Sequence, residues 1–496
     1  MLEKQKKKTI KKALSSIWKN RNTKLMTIVF ILVFASIGTY LILSSSAATI
    51  LNADFNSDST VNIYDLSILA TNWGKTSATH AQGDANADST VNVYDLSIVA
   101  SEWGQVITPS ITPTPTGQPA NSINIKDYGV VDNPNADSTV MASNTTKLTA
   151  ALTATKSQSK SIWIPNGSFI FNSLTIPDGI TIQGQSMVGA VLKGNFVFGS
   201  NLAFNNIKMV FEGGTYLNSV HDIVFENIDF EGRGNGYADA DGLILIEGSS
   251  YNISFSKCII GTNTDGVGNG VKVYDTGRYI HNISFDQCTI KYQPRMGIEV
   301  IGRANPSEGG TGGKSYQYVD ITNSTFEASA GEAISYDDNY SDNINRAGYN
   351  TVSGNYVDGA GVGNSYQYGS VIENNGVHNM TWTNNYFGAG RDSIVNISGR
   401  DNNPLNMVAS GNVYDAKHVP AGVTPNNQVF GIINVRGGAR FSDTIINDPN
   451  SYSGVWAYIN NCDGLDFGSS TVTGISGASS SVYGSGNTNI IWPVKK

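Results

Sequence analysis

The sequence predicts an all-β chain over most of its length, a parallel β-helix of short stacked coils running from about Ile123 to the C-terminus. Three observations predict it. Only 15% of the residues are charged while Gly alone supplies 53 of 496, a balance that suits turn-rich β structure better than a helical enzyme. A motif of apolar-x-apolar flanked by Asn or Asp, then an Asn- or Cys-containing turn, then another short strand, recurs roughly every 26 to 36 residues. A period in that range with alternating strands is the mark of a β-solenoid, and the missing leucine lattice and helical periodicity exclude leucine-rich and helical repeats.

The N-terminus comes first. Residues 1–24 carry nine Lys/Arg against the single acid Glu3, so with a formal net charge of −8 the remaining chain is strongly acidic. An acidic body argues against nucleic acid, whose phosphates demand a basic surface. Residues 25–43 form an uncharged, predominantly apolar run of 19, long enough to span a bilayer behind a basic flank that stays cytoplasmic. Ser44-Ser-Ser-Ala-Ala48 follows, small enough for a cleavage site. Residues 1–48 are therefore a signal peptide or an uncleaved membrane anchor, and in both readings the rest is extracellular.

Residues 50–105 contain a duplication. Asp54-Phe-Asn-Ser-Asp-Ser-Thr-Val-Asn-Ile-Tyr-Asp65-Leu returns as Asp84-Ala-Asn-Ala-Asp-Ser-Thr-Val-Asn-Val-Tyr-Asp95-Leu. Oxygen donors fall at loop positions 1, 3, 5, 9 and 12, with the carbonyl of position 7 available: Asp54, Asn56, Asp58, Thr60, Asn62 and Asp65, then Asp84, Asn86, Asp88, Thr90, Asn92 and Asp95. A hard cation takes six or seven oxygens from one such loop, so two Ca²⁺ sites are expected. Each loop leads into an apolar helix (Leu66, Ile68, Leu69; Leu96, Ile98, Val99) ending at Trp-Gly. The pair resembles a type I dockerin, D-x-N-x-D-x-x-V-N-x-x-D-L twice over about 55 residues. It departs at Ser59 and Ser89, where such loops usually carry Gly. The resemblance implies docking onto a cohesin-type protein, as in modular polysaccharide-degrading enzymes; a calcium-stiffened spacer is the other reading. Residues 106–121 are a Pro/Thr-rich linker with no core of its own.

In the last segment, 122–496, residues 144–157 read as a helix with Leu148, Ala151 and Leu152 at helical spacing, a lid for the open end of the solenoid. Cys258 and Cys288 stand 30 residues apart at equivalent places in Ser-Lys-Cys-Ile-Ile and Asp-Gln-Cys-Thr-Ile. With Cys462 they make an odd count and no disulfide framework, and the first two are expected to stack inside adjacent coils. The order Ile125-Lys-Asp-Tyr-Gly, cap helix, Ile-Trp-Ile-Pro-Asn-Gly, Ile-Thr-Ile-Gln-Gly resembles the N-terminal signature of the pectate-lyase-like superfamily. That resemblance implies a right-handed β-helix and an acidic or neutral polysaccharide as substrate. It spans lyases, glycoside hydrolases, epimerases and phage depolymerases, so the fold does not select the chemistry.

The superfamily register allows the first strands to be stacked. Because side chains alternate, Leu243, Val271, Ile298, Ile334, Val371 and Ile394 are expected inside, with Ile244, Lys272, Glu299, Ser335 and Ile372 forming an outward column. Asp241, Asp265, Lys272, Arg295, Glu299, Glu332 and Asp337 then converge on one face as candidate catalytic groups. Asp241 and Glu299, two coils apart, should stand roughly 10 Å apart, near the upper end for an inverting glycosidase pair. Long insertions at residues 302–317, 338–347 and 358–368 supply Tyr316, Tyr340, Tyr366 and Tyr368 as candidate sugar-stacking rings. Asn263-Thr-Asp265-Gly resembles an element of the polygalacturonases, but Gln293-Pro-Arg295-Met stands where those enzymes carry paired Asp, and no Gly-His-Gly follows. Hydrolysis by paired carboxylates leads. β-Elimination on a uronate polymer is the alternative, with Lys272, Arg295 and Arg303 neutralising the uronate, and a non-catalytic glycan-binding surface protein is the third.

Overall fold

The structure, a computed structural model, describes residues 52–53, 55, 61, 63–86, 88–102, 117–234, 242–264, 268–306, 310–338, 346–364, 369–400, 404–425, 428–448, 456–474 and 482–496. The chain divides into two compact units, one ending at Ile111 and the other beginning at Thr112. The apolar run 25–43 lies outside the described residues. Among the described residues no helix is long and apolar enough to cross a membrane.

In the first unit, helices α1 (Ile63–Thr71) and α2 (Val93–Glu102) enclose a small core of Val61, Leu69, Ala78, Val91, Leu96 and Val99. The apolar residues face inward because they recur at helical spacing, and Asn92 opens α2 by accepting the Tyr94 N–H at 2.7 Å. The core is closed at its ends by Glu102, whose carboxylate accepts the Ala53 N–H at 2.8 Å.

The second unit is a parallel β-helix. Helix α3 (Ser138–Gln158) covers its first coils and buries Leu148, Ala151 and Leu152, the stripe read from the sequence. It begins six residues earlier than expected, because Asp137 caps it by accepting the Val140 N–H at 2.9 Å. Asn144, buried under the helix, donates to the carbonyls of Val131 and Ile170 and so ties the lid to the first coil.

Each coil then contributes three strands that pair in parallel with their counterparts one coil on. Sheet A stacks Gly242–Glu247, Asn269–Asp275, Ile298–Gly302, Ile334–Asp338, Ile372–Asn375, Ser393–Ser398 and Gln428–Ile433. Sheet B includes Tyr251–Ser256 and His281–Asp286, and sheet C includes Ile259–Asn263, Thr289–Ile290, Thr325–Phe326, Tyr356–Val357 and Tyr386–Phe387. The corner between B and C is a single residue in the left-handed region: Asn206, Asn227, Lys257, Gln287, Asn323, Gly354, Asn384 and Gly411 in successive coils. Asn and Gly dominate that column because they reach positive φ at least cost. This is the physical content of the recurring motif.

The residue after the corner points inward and makes a second column, Ile207, Ile228, Cys258, Cys288, Ser324, Asn355, Asn385 and Asn412, which Asp443 and Ser470 continue by hydrogen bonds, all buried. Cys258 and Cys288 are free thiols stacked as the sequence predicts. The polar members form a ladder in which Asn355, Asn385 and Asn412 each pass a backbone N–H to the side-chain oxygen of the next rung at 2.9–3.0 Å. Buried polar groups are thereby satisfied inside the core. Beside the ladder, Phe204, Phe225, Phe255 and Phe285 stack at 4.8–4.9 Å, matching the separation of adjacent strands.

The register of sheet A corrects the expected alignment at both ends. Val271, Ile298 and Ile334 align as expected, with Lys272, Glu299 and Ser335 in the next column. But Ile244, not Leu243, pairs with Val271, and Leu245 joins the column in place of Ile244. Ile372 pairs with Ile334, so Glu373 replaces Ile372 in the column, and Val395 takes the inward place assigned to Ile394. These strands open on two or three apolar residues in a row, which alternation does not place, and one residue of slip exchanges the faces.

Candidate functional site

The corrected column runs Leu245, Lys272, Glu299, Ser335, Glu373, Asn396 along sheet A. Two of its charged members are withdrawn from solvent, Lys272 being 2% exposed and Glu299 4%, while Glu373 is half-buried; Glu332, on the turn entering the Ile334–Asp338 strand, is 2% exposed. Burying unpaired charge is prohibitively costly, and the pairing is accordingly dense. Lys272 Nζ lies 2.7 Å from Glu299 Oε2, and Arg295 Nη1 reaches the same oxygen at 3.0 Å. Asn269 Nδ2 donates to that oxygen at 2.8 Å. Burial pushes the Glu299 carboxyl up, yet Lys272 and Arg295 outweigh it and hold it below the ordinary glutamate value. Glu299 is thus a fixed carboxylate. The same burial pulls the Lys272 ammonium down, against the upward pull of Glu299.

Glu332 is the opposite case. Its Oε2 is buried and has no hydrogen-bond partner among the described residues. Burial, and then the charge of Glu373, push its carboxyl well above the ordinary value. Burial raises Glu373 too, though less decisively, because Asn375, Ser335 and Asn396 hydrogen-bond its carboxylate. Ser335 Oγ donates to Glu373 Oε2 at 3.0 Å and Asn396 Nδ2 to Oε1 at 2.9 Å. Like charges in one desolvated site do not both ionise readily, and the proton is favoured on Glu332, whose Oε2 has no donor and whose carboxylate takes a hydrogen bond from its own backbone N–H alone, against the three side-chain donors on Glu373. The backbone braces the arrangement, since Gly297 N–H donates to Glu332 O at 3.0 Å and Gly331 N–H to Arg295 O at 2.6 Å.

Of the candidate catalytic residues, the structure therefore brings Lys272, Arg295, Glu299 and Glu332 together. Asp337 lies on the same face, two residues along its strand from Ser335, with both carboxylate oxygens taken: Arg303 at 3.1 Å and Arg400 at 2.8 Å. Asp241 and Asp265 lie outside the described residues, as do Tyr340, Tyr366 and Tyr368. Tyr316 is corrected. It is fully buried, its hydroxyl donating to the carbonyls of Asp337 at 3.2 Å and Val300 at 3.4 Å, so its ring packs the coil interior and offers no face to a sugar. Glu373, Asn269 and Asn396 escaped the sequence reading. The signal for Glu373 was an acid in the apolar stretch Ser370-Val-Ile-Glu-Asn, hidden by the one-residue slip.

In the first unit, Asp54, Asn56, Asp58, Thr60 and Asn62 lie outside the described residues, while the second loop is in view. Asp95 is fully buried, accepting the N–H groups of Ala85 at 2.8 Å, Asn86 at 3.2 Å and Asn92 at 2.8 Å. Asp65 takes the Phe55 N–H at 2.8 Å, the equivalent bond of the first loop. Asp84 accepts from Asp88 at 3.1 Å and Ser89 at 2.9 Å. No three described His, Cys, Asp or Glu side chains stand close enough to hold a metal by themselves. The loop's donor set is completed by Asn86, Asn92 and the Thr90 carbonyl, all oxygens, and that chemistry fits Ca²⁺: a carboxylate has about four lone-pair sites, and backbone bonds leave some of them.

Comparison with known proteins bears on the two units differently. Residues 52–102 match the family described as Dockerin type I domain, whose members typically bind calcium. Nothing matches among curated proteins. Among solved structures, Geobacillus virus E2 ORF18 is similar at 13% identity and TM-score 0.33, over 76% of this chain and 60% of that one. The Agl-KA catalytic domain gives 14%, 0.44, 79% and 70%, and the Azotobacter vinelandii mannuronan C-5 epimerase AlgE6 A-module 14%, 0.42, 75% and 99%. This chain spans less than two thirds of the virus protein, and likeness at such identities and scores assigns no activity. Residues 52–102 are a dockerin type I domain, carried on a chain whose second unit is a parallel β-helix.

Proposed function

We propose that the chain is an exported polysaccharide-active protein that hydrolyses glycosidic bonds on sheet A, with its dockerin held by a cohesin-type partner and two Ca²⁺ ions ordering that domain. One observation carries the reading: a buried Glu332 with one carboxyl oxygen unpartnered, its proton affinity raised by burial and by the charge of Glu373. Two carboxyls whose surroundings separate their proton affinities are what acid–base cleavage requires. Glu332 gives its proton to the glycosidic oxygen as the bond to the anomeric carbon breaks. Glu373, oriented by Ser335 and Asn396, takes a proton from the water that attacks that carbon. Glu299 takes no part in proton transfer; it neutralises Lys272 and Arg295 and fixes them. β-Elimination is less well served, because Lys272 and Arg295 are engaged by Glu299, and Arg303 by Asp337, rather than facing a uronate. A glycan-binding surface protein is the second reading, favoured by the burial of Glu332, whose carboxyl a glycosidic oxygen would have to reach. The basic and apolar segment before residue 48 supplies export, as a cleaved signal or as an anchor through residues 25–43.

The test is a panel of neutral and acidic polysaccharides, assayed for new reducing ends and for unsaturated uronates. Reducing ends without unsaturation are expected. Glu332→Gln should lower kcat by about 10²-fold or more while glycan binding persists. Unsaturated products would move the protein to the lyases; binding with no product of either kind would leave the surface-protein reading.

A further inference from the structure

On sheet C, at the strands Tyr356–Val357 and Tyr386–Phe387, lies a second titratable cluster. Residues 416–423, which leave the long strand Met407–Asp415, run as a strap over two successive turns. His418 Nε2 lies 2.7 Å from Asp358 Oδ1, and the Tyr356 hydroxyl is 3.4 Å from the same nitrogen. The strap's backbone is pinned as well. Ala389 N–H donates to His418 O at 2.8 Å, His418 N–H to Asp415 O at 3.2 Å, and Gly363 N–H to Gly422 O at 2.9 Å. Pro420 lies against Gly359, where an added Cβ would meet its ring at 2.5 Å. The turn so clasped, residues 358–364, belongs to the coil whose next strand is Ile372–Asn375, bearing Glu373.

We propose that the strap is a pH-sensitive latch, closed by the His418–Asp358 pair, that fixes the turn of the coil carrying Glu373. A charged imidazolium on a carboxylate makes a bond roughly twice as strong as a neutral one, so the grip depends on the proton. The groups facing His418 are Asp415 from its own coil, Tyr386 from the coil before and Tyr356 and Asp358 from the coil before that; the rings of Tyr356 and Tyr386 meet the imidazole edge-on, at 6.3 and 5.7 Å. Lys417 is the neighbouring cation on the strap itself. The hydrogen bond to Asp358 raises His418 above the ordinary histidine value, burial opposing it. By linkage, the latch is fully closed below the value of the released histidine and loosens as pH climbs through the raised, latched value.

Hydrogen exchange on the full chain tests this without reference to any activity. With intrinsic rates corrected, protection of the Gly363 amide should fall about tenfold between about pH 5 and pH 8 in the wild type. His418→Gln and Asp358→Asn should both sit near the high-pH level throughout, with Cys258 and Cys288 remaining inaccessible to thiol reagents as the check that the coils are intact. Flat protection in the wild type, or full acid-side protection in both folded variants, would overturn the latch. If one variant fails to fold, the other and the titration of the His418 ring resonance in the wild type decide it.

Discussion

A single backbone angle separates the calcium loop seen here from its ideal. Ser89 sits at φ 65°, the left-handed region, where a residue bearing a Cβ is disfavoured by about 1 kcal/mol against Gly. Its N–H reaches Asp84 Oδ2 at 2.9 Å, so the angle is part of the donor arrangement. Since such loops order around their ion, Ser89→Gly should tighten calcium binding by about fivefold in a calorimetric titration, 1.4 kcal/mol being tenfold. Unchanged or weaker binding would show that the strain is already met in the ion-free loop. The departure from Gly was legible in the sequence; its cost needed the angle. At the acid site the balance was different. Lys272, Arg295, Glu299 and Glu332 were legible as charges in a neutral strand surface, while Glu373 was lost because Val371 and Ile372 satisfy either face equally. Tyr316 misled for a related reason: a Tyr in a Gly-rich insertion reads as exposed, and only the coil above and below reveals it as filling.

One element of the stack carries a pH dependence of its own. The inward ladder runs Asn355, Asn385, Asn412 and then Asp443, which receives both the N–H and the side-chain amide of Asn412, at 2.9 and 3.0 Å, and the Tyr414 hydroxyl at 3.3 Å. Burial pushes the Asp443 carboxyl from 3.8 up to about 6, the hydrogen bonds from Asn412 and Tyr414 opposing it. Between those values the folded chain holds a proton that the unfolded chain has released, so stability falls as pH rises through the window and is level above it. The loss amounts to about 2 to 3 kcal/mol at neutrality. Asp443→Asn keeps the acceptor oxygen and adds a rung of the kind already present, so it should recover most of that loss at pH 7 and gain little at pH 4. Denaturant unfolding at the two pH values checks it; equal effects at both would mean that Asp443 is ionised and well served in the folded chain. The ladder itself was half legible. The αL Asn column shows in the recurring motif, whereas the inward column mixes Cys, Ser, Asn and Asp, which share only small size and a hydrogen-bonding tip.

At the scale of the whole chain, two cores are built on different physics. The β-helix is a long stack in which each coil is stabilised by its neighbours, sealed at one end by α3 and filled by stacked Phe and Ile columns. The dockerin has nine buried apolar residues among those described, and a domain of about 50 residues is marginal by burial alone. Its buried carboxylates Asp65 and Asp95 close the two loops, so an ion held there contributes to its folding free energy. A ligand that binds only the folded form stabilises it by about 4 kcal/mol when free calcium exceeds Kd about a thousandfold. Addition of EGTA should accordingly lower the melting of the dockerin transition by ten degrees or more, of the order such a loss gives in a small domain. The larger β-helix transition should not move, since no three described His, Cys, Asp or Glu side chains in it stand close enough to hold a metal. Scanning calorimetry of the full chain separates the two. A dockerin transition indifferent to EGTA would mean that the loops hold their shape through backbone hydrogen bonds to Asp84 and Asp95 alone. A β-helix transition that moved with it would place a structural ion in the stack, and the coupled Glu332–Glu373 pair would be where to look for it, because an unpartnered buried oxygen can be satisfied by a cation as well as by a proton.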